Sequence, residues 1–192
     1  SPNMRTIMEP MDVNEASPAT ISRNGMVFFE PHLMGIDPLV EKNFLGGMPE
    51  VLDEEEANEV RAMTGWLLKP CITFLREECA EVSPTQDQNL VQSFMNILMS
   101  HLKDFLPLEV FKKEEGNEAT GKKNIINMID ACVVLSIIWS IGTVLQTNSR
   151  PEFSVFLRSL LQGKTDGVSQ YKKLSPEFPE RGSVYDWIFR AE

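Results

Sequence analysis

At 192 residues, 42% hydrophobic and 24% charged, the chain has the composition of a soluble globular protein of one domain or one and a half. Its net charge of −10 excludes a broadly basic nucleic-acid-binding surface, although not a local basic pocket for phosphates. Three cysteines and two histidines argue against a disulfide framework and a zinc site and favour a reducing compartment.

In chain order, the opening Ser1-Pro2-Asn3-Met4-Arg5 carries no leader pattern and reads as a cut within a longer protein. Met4 to Met8 alternates weakly, as a strand would. Ser17-Pro18-Ala19-Thr20-Ile21-Ser22-Arg23-Asn24-Gly25 reads as a short helical turn. Ser17 caps it, Pro18 occupies the first helical position, and Asn24-Gly25 stops it because both residues tolerate positive φ. Met26 to Phe29 is expected to be a short buried strand ended by Pro31. Arg23 is then held at the exposed end of a helix beside a sheet, a placement that suits an outward reach to a phosphate. The plain alternative is a surface arginine paired with a nearby carboxylate.

Asp37-Pro38 starts a helix bearing Leu39, Val40, Phe44 and Leu45, and Gly46-Gly47-Met48-Pro49 breaks the chain. Beyond the break the pattern is helical. Asp53-Glu54-Glu55-Glu56 is an acidic first turn with a capping box. Val60, Met63, Leu67, Cys71, Phe74 and Leu75 recur at helical spacing, with Pro70 expected to kink or split the run. Ser83-Pro84-Thr85-Gln86 is a second start signal, followed by the stripe Leu90, Phe94, Ile97, Leu98, His101, Leu102 and Phe105. Phe111 to Lys123 reads as a mobile loop. Ile125 to Leu145 is long enough for a membrane span, but Asn127, Asp130, Ser136, Ser140 and Thr143 within it favour a buried core helix. Ser149-Arg150-Pro151-Glu152 forms a third capping box before the stripe Phe153, Phe156, Leu157, Leu160 and Leu161, which Gly163 closes. Lys164 to Lys173 reads as a loop or frayed turn, and Gly182 to Phe189 as a terminal strand. The expected core is Leu90, Phe94, Leu98, Leu102, Val134, Ile138, Phe153, Phe156 and Leu160.

Ala16-Ser17-Pro18-Ala19-Thr20-Ile21-Ser22-Arg23-Asn24-Gly25-Met26-Val27-Phe28 resembles the Ala-Ser-Pro-Ala-Thr-Val-Ser-Arg-Cys-Gly-Met-Val-Tyr signature in the second AAA+ module of dynein heavy chains. The Ser-Pro-Ala-Thr form is similar to that of axonemal heavy chains, and Asn24 departs from the family's cysteine. Ser136-Ile137-Ile138-Trp139-Ser140-Ile141-Gly142 resembles the module's Leu-Ile-Trp-Ser-Ile/Val-Gly element. Phe178-Pro179 with Gly182-Ser183-Val184-Tyr185-Asp186 resembles the element near its end. The resemblance implies a mainly α fold. Residues 1–46 would end the large α/β subdomain, and residues 47–192 would form the helical small (lid) subdomain with a C-terminal strand.

The chain carries no Gly-x-x-x-x-Gly-Lys-Ser/Thr phosphate loop, no apolar strand ending in paired acids for Mg²⁺, and no Ser–His–Asp set. Alone, it is expected to bind no cofactor and hydrolyse no ATP. The resemblance implies that ATP or ADP and Mg belong to the intact motor, and that Arg23 projects as an arginine finger into the ATP site of the preceding module. It places Glu9 near a polar sensor position. It also puts Leu90-Val91-Gln92 where active modules carry a sensor arginine, so the module would hold nucleotide without turning it over. Arg150 and Arg158 are read as solvated helix residues. The implied partners are neighbouring modules of the same heavy chain and, through the intact complex, intermediate and light chains and microtubules, with no nucleic acid or membrane. The implied location is the cytoplasm and cytoskeleton, in the axoneme of cilia and flagella. The competing reading is a stand-alone acidic helical interaction module without a nucleotide role.

Overall fold

The computed structural model describes residues 6–28, 34–47, 52–105, 118–165, 167–174, 178 and 180–188. The chain divides into two units, Ser1–Met34 and Gly35–Glu192.

In the first unit α1 spans Pro18–Arg23 and buries none of its residues. The expected strands do not form among the described residues of this unit. Met26, Val27 and Phe28 are extended but 54%, 75% and 80% exposed, and residues 6–8 are irregular. A lone apolar run has no neighbour to complete its hydrogen bonds here, so local pattern alone builds no strand. Phe29, Met4 and Arg5 lie outside the described residues.

The second unit is helical: α2 (Asp37–Gly47), α3 (Glu54–Glu78), α4 (Asp87–Phe105), α5 (Glu118–Ser140) and α6 (Arg150–Leu161), with 3₁₀ turns at Gly142–Val144 and Val184–Asp186. Helix α5 packs against both α3 and α4, α2 lies on α4, and α6 lies on α3. The compact body therefore begins at Gly35 and includes α2, whereas the sequence break suggests a division near Gly46.

The capping box at Asp53 forms as its sequence implies. Glu56 N–H donates to Asp53 Oδ1 at 2.8 Å and Asp53 N–H to Glu56 Oε2 at 2.9 Å. Helix α3 then runs unbroken through Pro70 to Glu78, so the proline does not split it. Val60, Met63, Leu67, Cys71 and Leu75 are buried along its inner face. Helix α4 begins at Asp87, four residues after the expected cap. Ahead of it, the carboxylate of Glu81 accepts from Thr85 N–H at 2.8 Å and Thr85 Oγ1 at 2.7 Å, fixing the turn that leads into the helix. Arg76 ties Glu81 to Asp87, its Nε donating to Asp87 Oδ1 at 2.8 Å. The inner stripe of α4 carries Leu90, Phe94, Leu98 and Leu102, each at most 2% exposed.

Helix α5 extends back to Glu118, so residues 118–123 are helical where a loop is expected. Asn124–Val144 is long and apolar enough to cross a bilayer, yet 72% of its most apolar stretch is buried within the protein. Its polar residues are accommodated internally. Ser136 Oγ donates to Cys132 O at 2.7 Å and Ser140 Oγ to Ser136 O at 2.5 Å. A helix apolar all round and enclosed by other helices is a core helix.

Ser149 does not form the expected capping box of α6. Its backbone is already helical, and its Oγ accepts from the Ala80 N–H, 3.1 Å away, at the end of α3. The two connecting segments also pair directly, through Val82 N–H to Val144 O at 2.8 Å and Gln146 N–H to Ala80 O at 2.9 Å. Gly163 closes α6 with φ +67°. The expected terminal strand is instead a 3₁₀ turn. Ser183 Oγ accepts from Tyr185 N–H at 3.2 Å, and Tyr185 OH donates to Gly142 O at 2.7 Å. Of the expected core, all but Phe156 are buried, and Phe156 is half-buried against the cluster.

Candidate functional site

Arg23 sits where a short helix of this sequence must put it. Ser17 is extended and its Oγ accepts from Thr20 N–H at 3.2 Å, while Pro18 fills the first helical position. The helix ends because Asn24 is extended (φ −99°, ψ 137°), not left-handed, and no positive φ occurs at Gly25. Arg23 lies in the last turn, exposed, and its Nη1 donates to Ala19 O at 2.9 Å. This bond steadies the stem of the side chain and leaves most of the guanidinium's five donors open. No carboxylate among the described residues pairs with it, so the paired-surface reading finds no partner there.

The other sequence candidates are scattered. Glu9 is exposed in an irregular segment. Leu90 and Val91 are buried in α4, and Gln92 Nε2 donates to Asn96 Oδ1 at 2.9 Å. Arg150 and Arg158 are not simply solvated. The Arg150 guanidinium lies 5.4 Å from the Tyr185 ring centroid and donates to Leu145 O at 3.4 Å. Arg158 donates to Ser154 O and to Gly182 O, fastening the 180–188 segment to α6. Among the described residues no group of three His, Cys, Asp or Glu side chains stands close enough to hold a metal ion.

One polar centre escapes sequence reasoning. Lys172, in the segment after α6, places Nζ 2.5 Å from Glu59 Oε1 on α3 and 2.7 Å from Asp130 Oδ1 on α5. Tyr171 OH donates to Glu59 Oε2 at 3.1 Å. Asp130 is completely buried. That burial pushes its carboxyl up to about 6, with Glu59 adding to the rise and Lys172 opposing it. Burial works against the charge of Lys172, but the two carboxylates outweigh it and raise the ammonium's pKa. The only sequence signal was an acid, Asp130, within the most apolar helix. Such a residue needs a cation, and nothing local identifies which. The centre sets two acids against one base and links three elements of the fold. It holds the 164–173 segment against α3 and α5.

Comparison with known proteins matches residues 60–192 to the dynein heavy chain AAA lid domain. The human protein "Dynein axonemal heavy chain 3" is 35% identical over 190 residues, covering 97% of this chain and 5% of its own length. Rat "Dynein axonemal heavy chain 12" is 35% identical over 196 residues, covering 98% of this chain and 6% of its own. Human "Dynein axonemal heavy chain 1" is 32% identical over 184 residues, covering 96% and 4%. The chain thus spans about a twentieth of the length of these relatives. With its helical body built around α5 and its axonemal heavy-chain relatives, the chain belongs to the dynein heavy chain AAA lid domain family.

Proposed function

We propose that this chain is the downstream part of the second AAA+ module of an axonemal dynein motor ring, and that Arg23 serves as an arginine finger for the ATP site of the preceding module. The observation that carries this reading is Arg23 itself: an exposed guanidinium, steadied by the Ala19 carbonyl, without a carboxylate partner among the described residues. A permanently charged, planar fork placed in this way stabilises charge that develops on a transferring phosphoryl group. The chain carries no phosphate loop of its own, so ATP and Mg would be held by neighbouring modules, and this chain would lend only the cation.

The apolar side chains of the first unit support the same assignment. Ile7, Met8, Met11, Val27 and Phe28 are 65% to 101% exposed. So many large apolar side chains left open in so short a unit suit a segment covered by the rest of a larger module. The helical body would then relay nucleotide state between neighbouring modules. Partners of the whole motor would be its intermediate and light chains and microtubules, and its place the axoneme of cilia and flagella.

The test is made in the intact heavy chain. Arg23→Ala should cut ATP turnover at the neighbouring site by about a thousand-fold, while nucleotide binding changes far less. Arg23→Lys should rescue little, because a point charge does not reproduce the fork. Unchanged microtubule-stimulated turnover in Arg23→Ala would refute the assignment. So would a lowered melting temperature of the present chain, which would mark Arg23 as a structural residue.

A further inference from the structure

A groove of about 1510 Å³ runs between α3 and α6 and is closed along one side by residues 164, 165 and 167–171. Its direction is fixed by three contacts. The Ala80 amide on the Ser149 hydroxyl joins the end of α3 to the start of α6. Phe74 stacks on Phe156 with centroids 4.0 Å apart and planes 7° from parallel, and Trp66 meets Tyr171 at 6.2 Å. The two helices therefore run antiparallel along the groove, from Glu78 beside the start of α6 to Trp66 beside its end.

The charges along the groove are segregated by that arrangement. Glu77, Glu78 and Glu152 line the end where α3 finishes and α6 begins. Lys69 and Lys164 line the other end. None of the five forms an ion pair with a described residue. Between the ends the lining is apolar, with Pro70, Phe74, Phe156 and the 63% exposed Val155. Beneath the lining near the basic end, two polar atoms are enclosed without a partner. The Trp66 side chain is 93% buried, at 7% exposure, and its Nε1 donor has no partner. Thr165 Oγ1 is likewise buried without one. Pro70 offers no N–H to the Trp66 carbonyl four residues earlier. A buried donor that stays unpaired costs roughly 1–3 kcal/mol.

The geometry points to a docking site for an amphipathic helix with acidic residues in its first turn, an apolar stripe, and basic residues in its last turn. Its acidic end would lie over Lys69 and Lys164. Its basic end would lie over Glu77, Glu78 and Glu152. This polarity is also the one that a helix favours through its own dipole, so groove and occupant reinforce each other. The wall from Gly65 to Glu78 is about 20 Å long at 1.5 Å per residue, enough for about three and a half turns. The groove is lined entirely by residues of the second unit, and the inference does not depend on the finger assignment.

A displayed library of peptides of about 14 residues, panned on the full chain and counter-panned on its Val155→Asp variant, tests this inference. Val155 is exposed, so the variant should keep the circular dichroism and melting temperature of the parent. Enriched peptides should carry acid first, an apolar i, i+3, i+4, i+7 stripe, and base last. The most enriched peptide, synthesised with a fluorescent label, should bind the parent at least tenfold more tightly than Val155→Asp, by anisotropy. Its charge-swapped counterpart should bind the parent at least tenfold more weakly. Glu77→Lys combined with Glu152→Lys should erase the preference between the two. Three outcomes would overturn the inference: no enrichment over Val155→Asp, enrichment without this charge polarity, or a self-association abolished by Val155→Asp in sedimentation, which would assign the groove to a second copy of the chain.

Discussion

Replacing Lys172 with methionine removes the cation that bridges Glu59 and Asp130 while keeping most of the side-chain stem. Breaking a buried ion pair from one side costs about 3–5 kcal/mol, because the remaining charge is left without compensation. Asp130 is fully buried but Lys172 is 24% exposed, so screening by solvent sets the cost near the lower bound, about 3 kcal/mol. For a chain of this size that corresponds to a loss of about 6–12 °C in melting temperature at pH 7.5. The loss should depend on pH with a definite sign. The folded Asp130 keeps its proton up to about pH 6, against 3.8 for an ordinary aspartate. A raised carboxyl contributes stability that is complete below the unfolded value and disappears as pH rises through the folded one. In Lys172→Met the opposing ammonium is gone, so Asp130 rises further and is neutral at pH 5.5. Most of the penalty should therefore vanish there, leaving roughly 1 kcal/mol from lost packing. Thermal melts of both chains at pH 7.5 and 5.5 measure this directly. Adding Asp130→Asn to Lys172→Met should restore most of the stability at pH 7.5, since the two residues are coupled. An equal loss at both pH values would refute the electrostatic account, and no loss at either would show that Lys172 does not anchor the 164–173 segment.

Three further substitutions test the packing. Leu98→Ala, at a position with no exposed surface, should cost about 2–5 kcal/mol in denaturant unfolding, and a change below about half a kcal/mol would place that stripe of α4 on the surface. Tyr185→Phe removes only the hydroxyl that donates to Gly142 O, and should cost about 1 kcal/mol. Gly142→Ala should cost more, because its Cβ would stand 2.9 Å from the Tyr185 hydroxyl and 3.0 Å from Phe153 Cε1. Equal melting temperatures for the two variants would show that the ring gives way without strain.

The long helices were legible because their signals are internal to each segment. The stripe from Leu90 to Leu102 and the all-round apolarity of Ile125 to Leu145 each require burial whatever the neighbours are. Signals resting on one hydroxyl or one short run fared less well. Ser149 has the spacing of a cap, but a serine oxygen goes to whichever amide lacks a partner, and the fold brings Ala80 to it. The helix after Ser83 starts only at Asp87, because Thr85 is held in the preceding turn by the carboxylate of Glu81. Met26 to Phe28 and Gly182 to Trp187 have apolar character that suits a strand, but a strand needs a neighbour that sequence pattern does not name. At the candidate site, the exposure of Arg23 followed from its place at the end of a capped turn. The pairing of Asp130 with Lys172 spans two elements and depends on where the 164–173 segment lands, which periodicity does not encode. Arg150 and Arg158 have the exposure pattern of solvent-facing residues, and only the fold places Tyr185 and Gly182 beside them.

The central position of α5 has a consequence for the order in which the protein is made. Helices α3 and α4 precede it in the chain, yet each packs chiefly on α5 rather than on the other. A ribosome adding about 5–20 residues per second needs roughly 2–8 seconds to pass from Phe105 to Leu145. Throughout that interval the inner faces of both earlier helices, Val60 to Leu75 and Leu90 to Leu102, have no permanent cover. The nascent chain is therefore most vulnerable to aggregation, and most dependent on chaperones, just before its most hydrophobic segment emerges.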